Sequence, residues 1–218
     1  MTTYIEPFVG GGSEIIELLK QCKMNDITDK TFKCYDINNI LIEMFNEIKD
    51  EPEGLIRKLK LIEFQNDKDD FYRIRGEYNS NPTVDKFIYL NRMGFRGLYS
   101  VNKKNQFNTS FGHHKYPKVF REENIRALSK LFNNFHITFE VASYDWCKIP
   151  YNSDTVVYCN PPNYGVDIKY TNNKFDHETY TKFLKNLKLS CKVIHSNSTM
   201  FPDIYANNKN ETIQEIEI

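Results

Sequence analysis

Three segments combine residue types and spacings that could do chemistry, and the first is a glycine-rich run. The sequence EPFVGGG occupies residues 6–12, between a short β-prone run and a helical pattern. Glycines at such a turn let the backbone approach a bound cofactor closely. Asp36 ends the next β-prone run, 24 residues after Gly12, near the roughly 20 expected of an acid that binds ribose hydroxyls. The dinucleotide fingerprint is incomplete, so a tight loop without a ligand is the alternative.

The second segment, CNPPNY at residues 159–164, directly follows an apolar run. Two prolines fix their φ angles and lack N–H donors, which predicts a rigid turn whose carbonyl groups point outward. The side-chain oxygen of Asn160 and a neighbouring carbonyl could accept both hydrogens of an exocyclic amine, and a nearby aromatic ring could stack on a flipped base. Taken alone, the segment also fits an ordinary turn between a strand and a helix.

The third segment is basic. From Arg92 to Arg121 there are seven Lys or Arg residues and no acid, although the whole chain has 29 basic and 29 acidic residues. Cations neutralise phosphates, and the interleaved Phe and Tyr rings could wedge between or stack on bases. Amide side chains in this tract are candidate readers of base edges. The tract predicts a docking surface for a polyanion, against the alternative of a solvated loop region whose rings belong to the core.

Length and composition predict one sizeable domain. The chain has 218 residues, of which 40% are apolar and 14% aromatic, and this excludes a disordered chain. No apolar run reaches the roughly 18–20 residues of a membrane span, and no secretory signal is recognisable. Five scattered Cys without a C-x-x-C pair favour a reducing compartment. His113 and His114 have no third ligand nearby, so we predict no metal site.

The elements that must position these segments alternate between strands and helices. The pattern predicts strands at Thr2–Pro7 and Phe32–Tyr35, with helices after Ser13, over Asn38–Lys49 and from Pro52. This β-α-β-α order is typical of a doubly wound parallel sheet. Residues 65–85 are polar and charged and Lys86–Arg92 is apolar, and the basic tract that follows, to about residue 118, is expected to form loops and hairpins, as an insert. The later elements predicted are helix Glu122–Phe132, strands His136–Val141 and Thr155–Cys159, helix Thr179–Leu189, strand Lys192–His195, and an edge strand in the tail ETIQEIEI.

Taken together and in this order, the segments resemble the Dam-type (D12 class) DNA adenine-N6 methyltransferases. EPFVGGGS is similar to that family's cofactor loop, CYDIN to its acidic motif, and YCNPPNY to its Asp-Pro-Pro-Tyr catalytic motif. The run FIYLNRMGFRGLYSVNKKNQFNTSFGHHK resembles its target-recognition hairpin region, and KVIHSNS the strand after the catalytic motif. The resemblance covers nearly the whole chain. It implies a Rossmann-like α/β sheet at residues 1–64 and 119–218, with an inserted DNA target-recognition subdomain at residues 65–118.

The resemblance also implies S-adenosylmethionine as the methyl donor and duplex DNA as the substrate. The implied catalytic residues are Asn160, Pro161, Pro162 and Tyr164. The implied cofactor-binding residues are Phe8, Gly10, Gly12, Asp36, Ser143 and Tyr144. The implied DNA-binding residues are Asn91, Arg92, Arg96, Leu98, Ser100, Asn102, Lys103, Lys104 and Lys115.

Several positions depart from the family pattern. Asn160 replaces the catalytic Asp, and Asn163 stands where the stacking Tyr is expected, with Tyr164 one place later. We expect the loop to bulge at Asn163 so that Tyr164 stacks on the base. In the recognition region, Ser100 replaces an Arg and Ser110 a Pro of the GATC-reading members, so their specificity is not carried over. Members also carry an upstream segment with a Trp and a Lys, whereas the glycine loop here starts a few residues after Met1.

Three functional interpretations follow, and the first is an active adenine methyltransferase. The second is a catalytically degenerate relative that binds DNA or works with a catalytic partner, and the third is an unrelated α/β protein. We expect the chain in the cytoplasm, or wherever its target DNA lies, and neither secreted nor bound to a membrane. A homodimer and a heterodimer both stay open, as do the recognition sequence and the biological role.

Overall fold

A parallel sheet lies at the centre of the computed structural model, which describes residues 2–62, 67–115, 118–164 and 175–197. Within these ranges the sheet has five strands in the spatial order β3-β2-β1-β4-β5. They are β1 (Thr3–Glu6), β2 (Thr31–Asp36), β3 (His136–Val141), β4 (Thr155–Cys159) and β5 (Lys192–His195). Thr3 pairs with Thr31 on one side and with Thr155 on the other. The strand order therefore changes direction between β1 and β4, and such a switch point opens a crevice at the carboxyl ends of the strands.

Seven α-helices accompany the sheet in the described ranges. They are α1 (Ser13–Met24), α2 (Asn39–Asp50), α3 (Pro52–Leu61), α4 (Lys68–Ser80), α5 (Val84–Met93), α6 (Glu122–Asn133) and α7 (His177–Lys188). Successive strand residues point to opposite faces, so Cys34 packs into a core shared with helices α1 to α6, whereas Tyr35 packs into a second core beneath α7. Each described helix is too short or too polar to cross a bilayer.

The predicted sheet is confirmed, including the identical bounds of β3, β4 and β5. Helices α4 and α5 are the main elements that sequence reasoning missed. The spacing of Phe71, Ile74 and Tyr78, all buried, is helical, and the Asp67 side chain caps α4 by accepting a hydrogen bond from the Asp70 N–H. This helical spacing was present in the sequence, but the many charged residues around the apolar positions obscured it.

The segment after α5 is irregular, as expected for loops and hairpins. A single-turn 3-10 helix spans Phe95–Gly97, and isolated antiparallel bridges join Gly94 to Phe111 and Val101 to Phe107. The rings of Phe107 and Phe111 belong to the same core as α1 to α6. The division into residues 1–64, 65–118 and 119–218 stays a prediction, and the predicted edge strand of the tail lies outside the described residues.

Candidate functional site

A cavity of about 890 Å³ opens at the switch point of the sheet. Its walls come from the loops after β1, β2, β3 and β4 and from the segment around α5. Because the strands are parallel, their carboxyl ends meet at one edge, and side chains that are distant in sequence converge there. Eight of the sequence-predicted cofactor and catalytic residues border this cavity: Phe8, Gly10, Asp36, Ser143, Tyr144, Asn160, Pro161 and Pro162.

The glycine loop has a left-handed backbone at two of its three glycines. Gly10 has φ 48° and Gly12 has φ 72°, a region that L side chains rarely adopt. A Cβ atom added to Gly12 would lie 2.8 Å from Cζ of Phe45, a buried ring of α2. Gly12 also accepts the hydrogen bond that starts α1, from the Ile16 N–H at 3.0 Å. The requirement for glycine at this position is therefore both conformational and steric.

Asp36 lies against the glycine loop, as the sequence predicted. One carboxylate oxygen accepts a hydrogen bond from the Gly10 N–H at 3.1 Å, and the other accepts one from the Asn38 N–H at 2.9 Å. Burial raises the pKa of Asp36, and these backbone donors partly oppose that shift. The contact between the two strand ends is confirmed, while the binding of ribose by Asp36 stays a prediction.

Glu6 is a second acid at this edge, and sequence reasoning did not select it. Its side chain is 1% exposed, borders the cavity, and accepts a hydrogen bond from the Tyr4 hydroxyl at 2.8 Å. Burial raises the pKa of Glu6 to about 7, although the Tyr4 hydrogen bond acts in the opposite direction. The signal in the sequence was an acid placed at the last position of an otherwise apolar strand, immediately before the glycine loop.

The loop after β4 brings the Asn-Pro-Pro segment to the same cavity. Asn160 is exposed, Pro161 is buried and Pro162 is half-buried, and all three border the cavity together with Asn163. β4 pairs directly with β1, so this loop is the neighbour of the glycine loop. The expected position of Asn160, at the carboxyl end of a central strand beside the glycines, is confirmed.

Two aromatic rings lie near this loop in different settings. Tyr164 is half-buried, its ring meets the His177 ring edge-on at 5.0 Å, and its N–H donates to Oδ1 of Asn197 at 2.9 Å. Tyr164 is absent from the described lining of the cavity, whereas Phe175 is part of it. The ring of Phe175 lies 5.8 Å from that of Phe8. The stacking role of Tyr164 stays a prediction, and Phe175 is a candidate that sequence reasoning missed.

The predicted DNA-binding residues divide into two groups. Asn91, Arg92 and Leu98 border the cavity. The described cavity lining does not include the others: Arg96, Ser100, Asn102, Lys103, Lys104 and Lys115. Among these, Arg96, Lys103, Lys104 and Lys115 are exposed.

Asn102 has a structural task within this segment. Its Oδ1 accepts hydrogen bonds from the N–H groups of Lys104 and Gln106, at 2.9 and 3.1 Å, and its Nδ2 donates to Oε1 of Gln106 at 3.2 Å. The side chain therefore shapes the turn that carries Lys103 and Lys104. Among the described residues, no group of three His, Cys, Asp or Glu side chains could hold a metal ion.

Comparison with known proteins agrees with the geometry of the site. A family model described as D12 class N6 adenine-specific DNA methyltransferase matches residues 1–217. The chain is 32% identical over 213 residues to the type II methyltransferase M.MjaIII of Methanocaldococcus jannaschii, covering 89% of this chain and 73% of that protein. It is 34% identical over 165 residues to a DNA adenine methylase of Vibrio cholerae, covering 72% of this chain and 55% of that protein.

A further relative is the type II methyltransferase M1.LlaDCHI of Lactococcus lactis, which is 29% identical over 187 residues. That match covers 82% of this chain and 62% of the relative. The chain thus spans between about half and three quarters of the length of these curated relatives. With the family model matching residues 1–217 of the chain and the motif residues gathered at one cavity, the chain belongs to the D12 class of N6 adenine-specific DNA methyltransferases.

Proposed function

We propose that this chain transfers a methyl group from S-adenosylmethionine, the methyl donor of its family, to the N6 amino group of an adenine in DNA. The observation that carries the proposal is the single cavity bordered by both the glycine loop after β1 and the Asn-Pro-Pro loop after β4. Small-molecule sites typically enclose ~300–1,000 Å³. A cavity of about 890 Å³ is at the upper end of that range, consistent with room for both a cofactor and a flipped base.

The residues of the cofactor side fit this donor. A Cβ added to Gly10 or Gly11 would meet no atom within 4 Å, so the loop backbone borders open space. The Asp36 carboxylate accepts backbone hydrogen bonds at both of its oxygens, and with about four lone-pair sites it keeps acceptor capacity for a ribose hydroxyl. The rings of Phe8 and Tyr144 lie 5.5 Å apart and offer an apolar surface. When bound, the cofactor supplies a methyl group on a positively charged sulfur, which leaves as a neutral thioether.

Asn160 would hold and orient the amine that receives the methyl group. Its amide is neutral, so it cannot act as a general base, but its oxygen can accept a hydrogen bond from the N6 amine. A neighbouring carbonyl of the Pro-Pro turn can accept the second N–H, and the nitrogen lone pair is then left free for the methyl group. The proton that the amine loses passes to solvent. Pro161 and Pro162 contribute a rigid turn without competing N–H donors.

Residues 65–118 would supply the target-recognition part of the molecule. Arg92 and Leu98 border the cavity, and exposed cations continue outward from them along this segment. Phe95 and Leu98 are 46% and 47% exposed, and Leu98 also borders the cavity. Exposed apolar groups flanked by cations suit a surface that contacts both bases and phosphates of duplex DNA.

Transfer of a labelled methyl group tests the proposal. The purified chain is incubated with S-adenosylmethionine carrying a tritiated methyl group and with duplex DNA of mixed sequence, and the DNA is digested to nucleosides. We expect label in N6-methyladenine. Asn160→Ala should lower turnover by roughly 100-fold or more, as removal of a group that acts on the reacting atoms does in other enzymes. Asn124→Ala, at an exposed position of α6, is the matched control and should keep wild-type turnover.

A DNA-binding relative without turnover is the second candidate, favoured by the contact of the Tyr164 ring with His177. Such a protein would retard DNA in a gel and yet transfer no label. A partner-dependent subunit would gain activity when a second chain is added. Label in N6-methyladenine that Asn160→Ala leaves unchanged would contradict the role proposed for Asn160.

A further inference from the structure

A short antiparallel hairpin, residues 94–111, carries most of the predicted DNA-binding residues. Isolated bridges join Gly94 to Phe111 and Val101 to Phe107, so its two arms pair at few positions. A two-stranded hairpin is marginally stable by itself in water, and packing against a helix is one way to stabilise it. In this chain the helix that packs against the hairpin is α4.

One face of α4 contacts the returning arm of the hairpin, residues 106–111. Phe71 and Tyr78 of α4 are buried, and their rings lie 5.5 Å from that of Phe111 and 6.0 Å from that of Phe107, respectively. Apolar packing is non-directional, so these rings hold the hairpin against α4 without selecting one register along it.

Two polar side chains of α4 contact the backbone of the same arm. The Phe107 N–H donates to Oδ1 of Asn79 at 2.8 Å, and Nδ2 of Asn79 donates to the Phe107 carbonyl at 3.1 Å. The Asn79 amide thus pairs with this backbone as a residue of a neighbouring strand would. One turn earlier in α4, Nη1 of Arg75 donates to the Thr109 carbonyl at 3.2 Å. Directional hydrogen bonds therefore hold the arm at two positions, two residues apart.

The register of the returning arm decides which of its side chains face outward. Phe107, Thr109 and Phe111 are buried, whereas Asn108 and Ser110 between them are exposed. This is the alternation of an extended strand with one covered face. A slip by one residue would exchange the two faces, turning Asn108 and Ser110 towards α4.

The outgoing arm, residues 94–101, depends on the same register. The Thr109 hydroxyl donates to the Leu98 carbonyl, and the Phe95 N–H donates to the Ser110 carbonyl, both at 2.8 Å. Leu98 borders the cavity, whereas the described cavity lining contains no residue of α4. Helix α4 therefore holds the arm that reaches the cavity without forming part of the cavity wall.

We propose that Asn79 and Arg75 are positioning residues for the sequence selectivity of DNA binding, and that they act through the hairpin backbone without touching DNA. The inference rests on the proposed function, because it needs DNA as the ligand. Readout of base edges requires side chains placed within hydrogen-bond distance. A hairpin that is no longer held in one register should therefore bind DNA with a weaker preference for one sequence.

Selection from a random pool tests the inference without turnover. The purified chain, saturated with S-adenosylhomocysteine, binds duplexes with a randomised central sequence, and the bound fraction is sequenced. We expect the wild-type chain to enrich one preferred sequence. Asn79→Ala should lower that enrichment roughly tenfold, the size of effect that one lost base contact has. Affinity for the unselected pool should fall by no more than about threefold, because phosphate contacts dominate it.

Asn133→Ala is the matched control, because Asn133 also joins two elements through its amide. Its Nδ2 donates to the Lys49 carbonyl, near the end of α2, at 2.7 Å. This variant should lose thermal stability to a similar degree as Asn79→Ala and yet keep the wild-type enrichment. Calorimetry with S-adenosylhomocysteine alone should give near wild-type affinity for both variants.

Two substitutions of Arg75 separate positioning from direct contact with DNA. Arg75→Lys keeps a donor for the Thr109 carbonyl and should retain selectivity, whereas Arg75→Met should lose it. The slope of log K against log salt should stay at the wild-type value in Arg75→Met, since loss of a phosphate contact would lower it by about one. If Asn79→Ala does not fold, the two Arg75 variants carry the test.

Several results would overturn the inference while the proposed function stands. They are a wild-type chain that enriches no sequence, an Asn79→Ala variant with wild-type enrichment, an equal loss of enrichment in Asn133→Ala, and a salt slope lowered by about one in Arg75→Met. A wild-type chain that binds neither S-adenosylhomocysteine nor DNA would overturn the inference and the proposed function together. Titration of each ligand alone distinguishes that case from the others.

Discussion

The wall formed by the loops after β1 and β2 and the wall formed by the loop after β4 border the same cavity, but they use different kinds of contact. On the first wall, the Val9 N–H donates to the Tyr35 carbonyl at 2.9 Å, Asp36 receives the Gly10 N–H, and Phe45 closes the space beneath Gly12. On the second wall, Asn160 and Asn163 present exposed side chains.

This difference suggests that the two walls have different roles in binding. The first wall is built from backbone hydrogen bonds and close packing, so its geometry exists before any cofactor arrives, and preorganised polar groups need little rearrangement on binding. The second wall presents polar groups that a base can reach from outside. The following predictions, in order of decreasing expected effect, test whether the two walls depend on different kinds of interaction.

We expect the largest loss of stability from substitution of Gly12, which belongs to the first wall. Gly12→Ala places a Cβ at φ 72° and 2.8 Å from the Phe45 ring. Left-handed strain and overpacking together should lower the free energy of unfolding by roughly 2–5 kcal/mol, measured by urea unfolding. Gly11→Ala is the control, because its added Cβ would meet nothing within 4 Å. Equal effects of the two substitutions would contradict the packing explanation.

Glu6 should make stability depend on pH. Its pKa is about 7 in the folded chain against an ordinary value of 4.5, so the folded state retains a proton that the unfolded chain has released in that window. The free energy of unfolding should therefore fall as the pH rises from about 4.5 to 7, by roughly 3 kcal/mol.

Glu6→Gln should abolish that fall, so the variant gains stability over wild type at pH 8 but not at pH 5. The Tyr4 hydroxyl can still donate to the amide oxygen. Glu17→Gln, at an exposed position of α1, serves as the control and should leave the wild-type profile unchanged. Parallel unfolding curves for wild type and Glu6→Gln across this pH range would show that Glu6 is not the group responsible.

The second wall should depend on a stacking ring. Base–aromatic stacking contributes about 1–3 kcal/mol per base. Both the Tyr164 and the Phe175 rings lie against His177, but only Phe175 is part of the described cavity lining. Phe175→Leu should therefore weaken binding of a duplex with 2-aminopurine at the target position more than Tyr164→Leu does. Fluorescence of the extruded base reports the binding, and thermal unfolding controls for damage to the core. A larger loss of affinity in Tyr164→Leu than in Phe175→Leu would instead support the stacking role that the sequence predicted for Tyr164.

The smallest effect, on the affinity for DNA, is expected from Lys103 and Lys104. Lys103 and Lys104 are exposed on the turn shaped by Asn102. If both contact phosphate, replacing them with Ala should weaken binding to all sequences alike and lower the slope of log K against log salt by about two. The control replaces Lys20 and Lys23 of α1 and removes the same charge. A change confined to one DNA sequence would indicate base readout.

Much of the sheet and of the site could be predicted from local pattern. A short apolar run of β-branched and aromatic residues such as TVVYC, followed at once by Asn-Pro-Pro, predicts a buried strand, and parallel pairing brings the carboxyl ends of such strands to one edge. The convergence of Gly10, Asp36 and Asn160 follows from that rule. Helix α4 was missed because charged residues surround its buried face, and burial against other elements, more than intrinsic propensity, stabilises most helices.

The sequence by itself determined the family, the alternation of strands and helices and the two loops that border the cavity, because motif spacing and strand periodicity are local properties. Only the tertiary structure decided which groups meet across long separations. The burial that raises the pKa of Glu6 comes from the chain packed around it. The position of Phe175 at the cavity and the packing of the Tyr99 ring against Phe87 depend on how α7 and the segment after α5 pack against the rest of the chain. No spacing along the chain encodes these contacts, since packing of side chains from remote segments sets them.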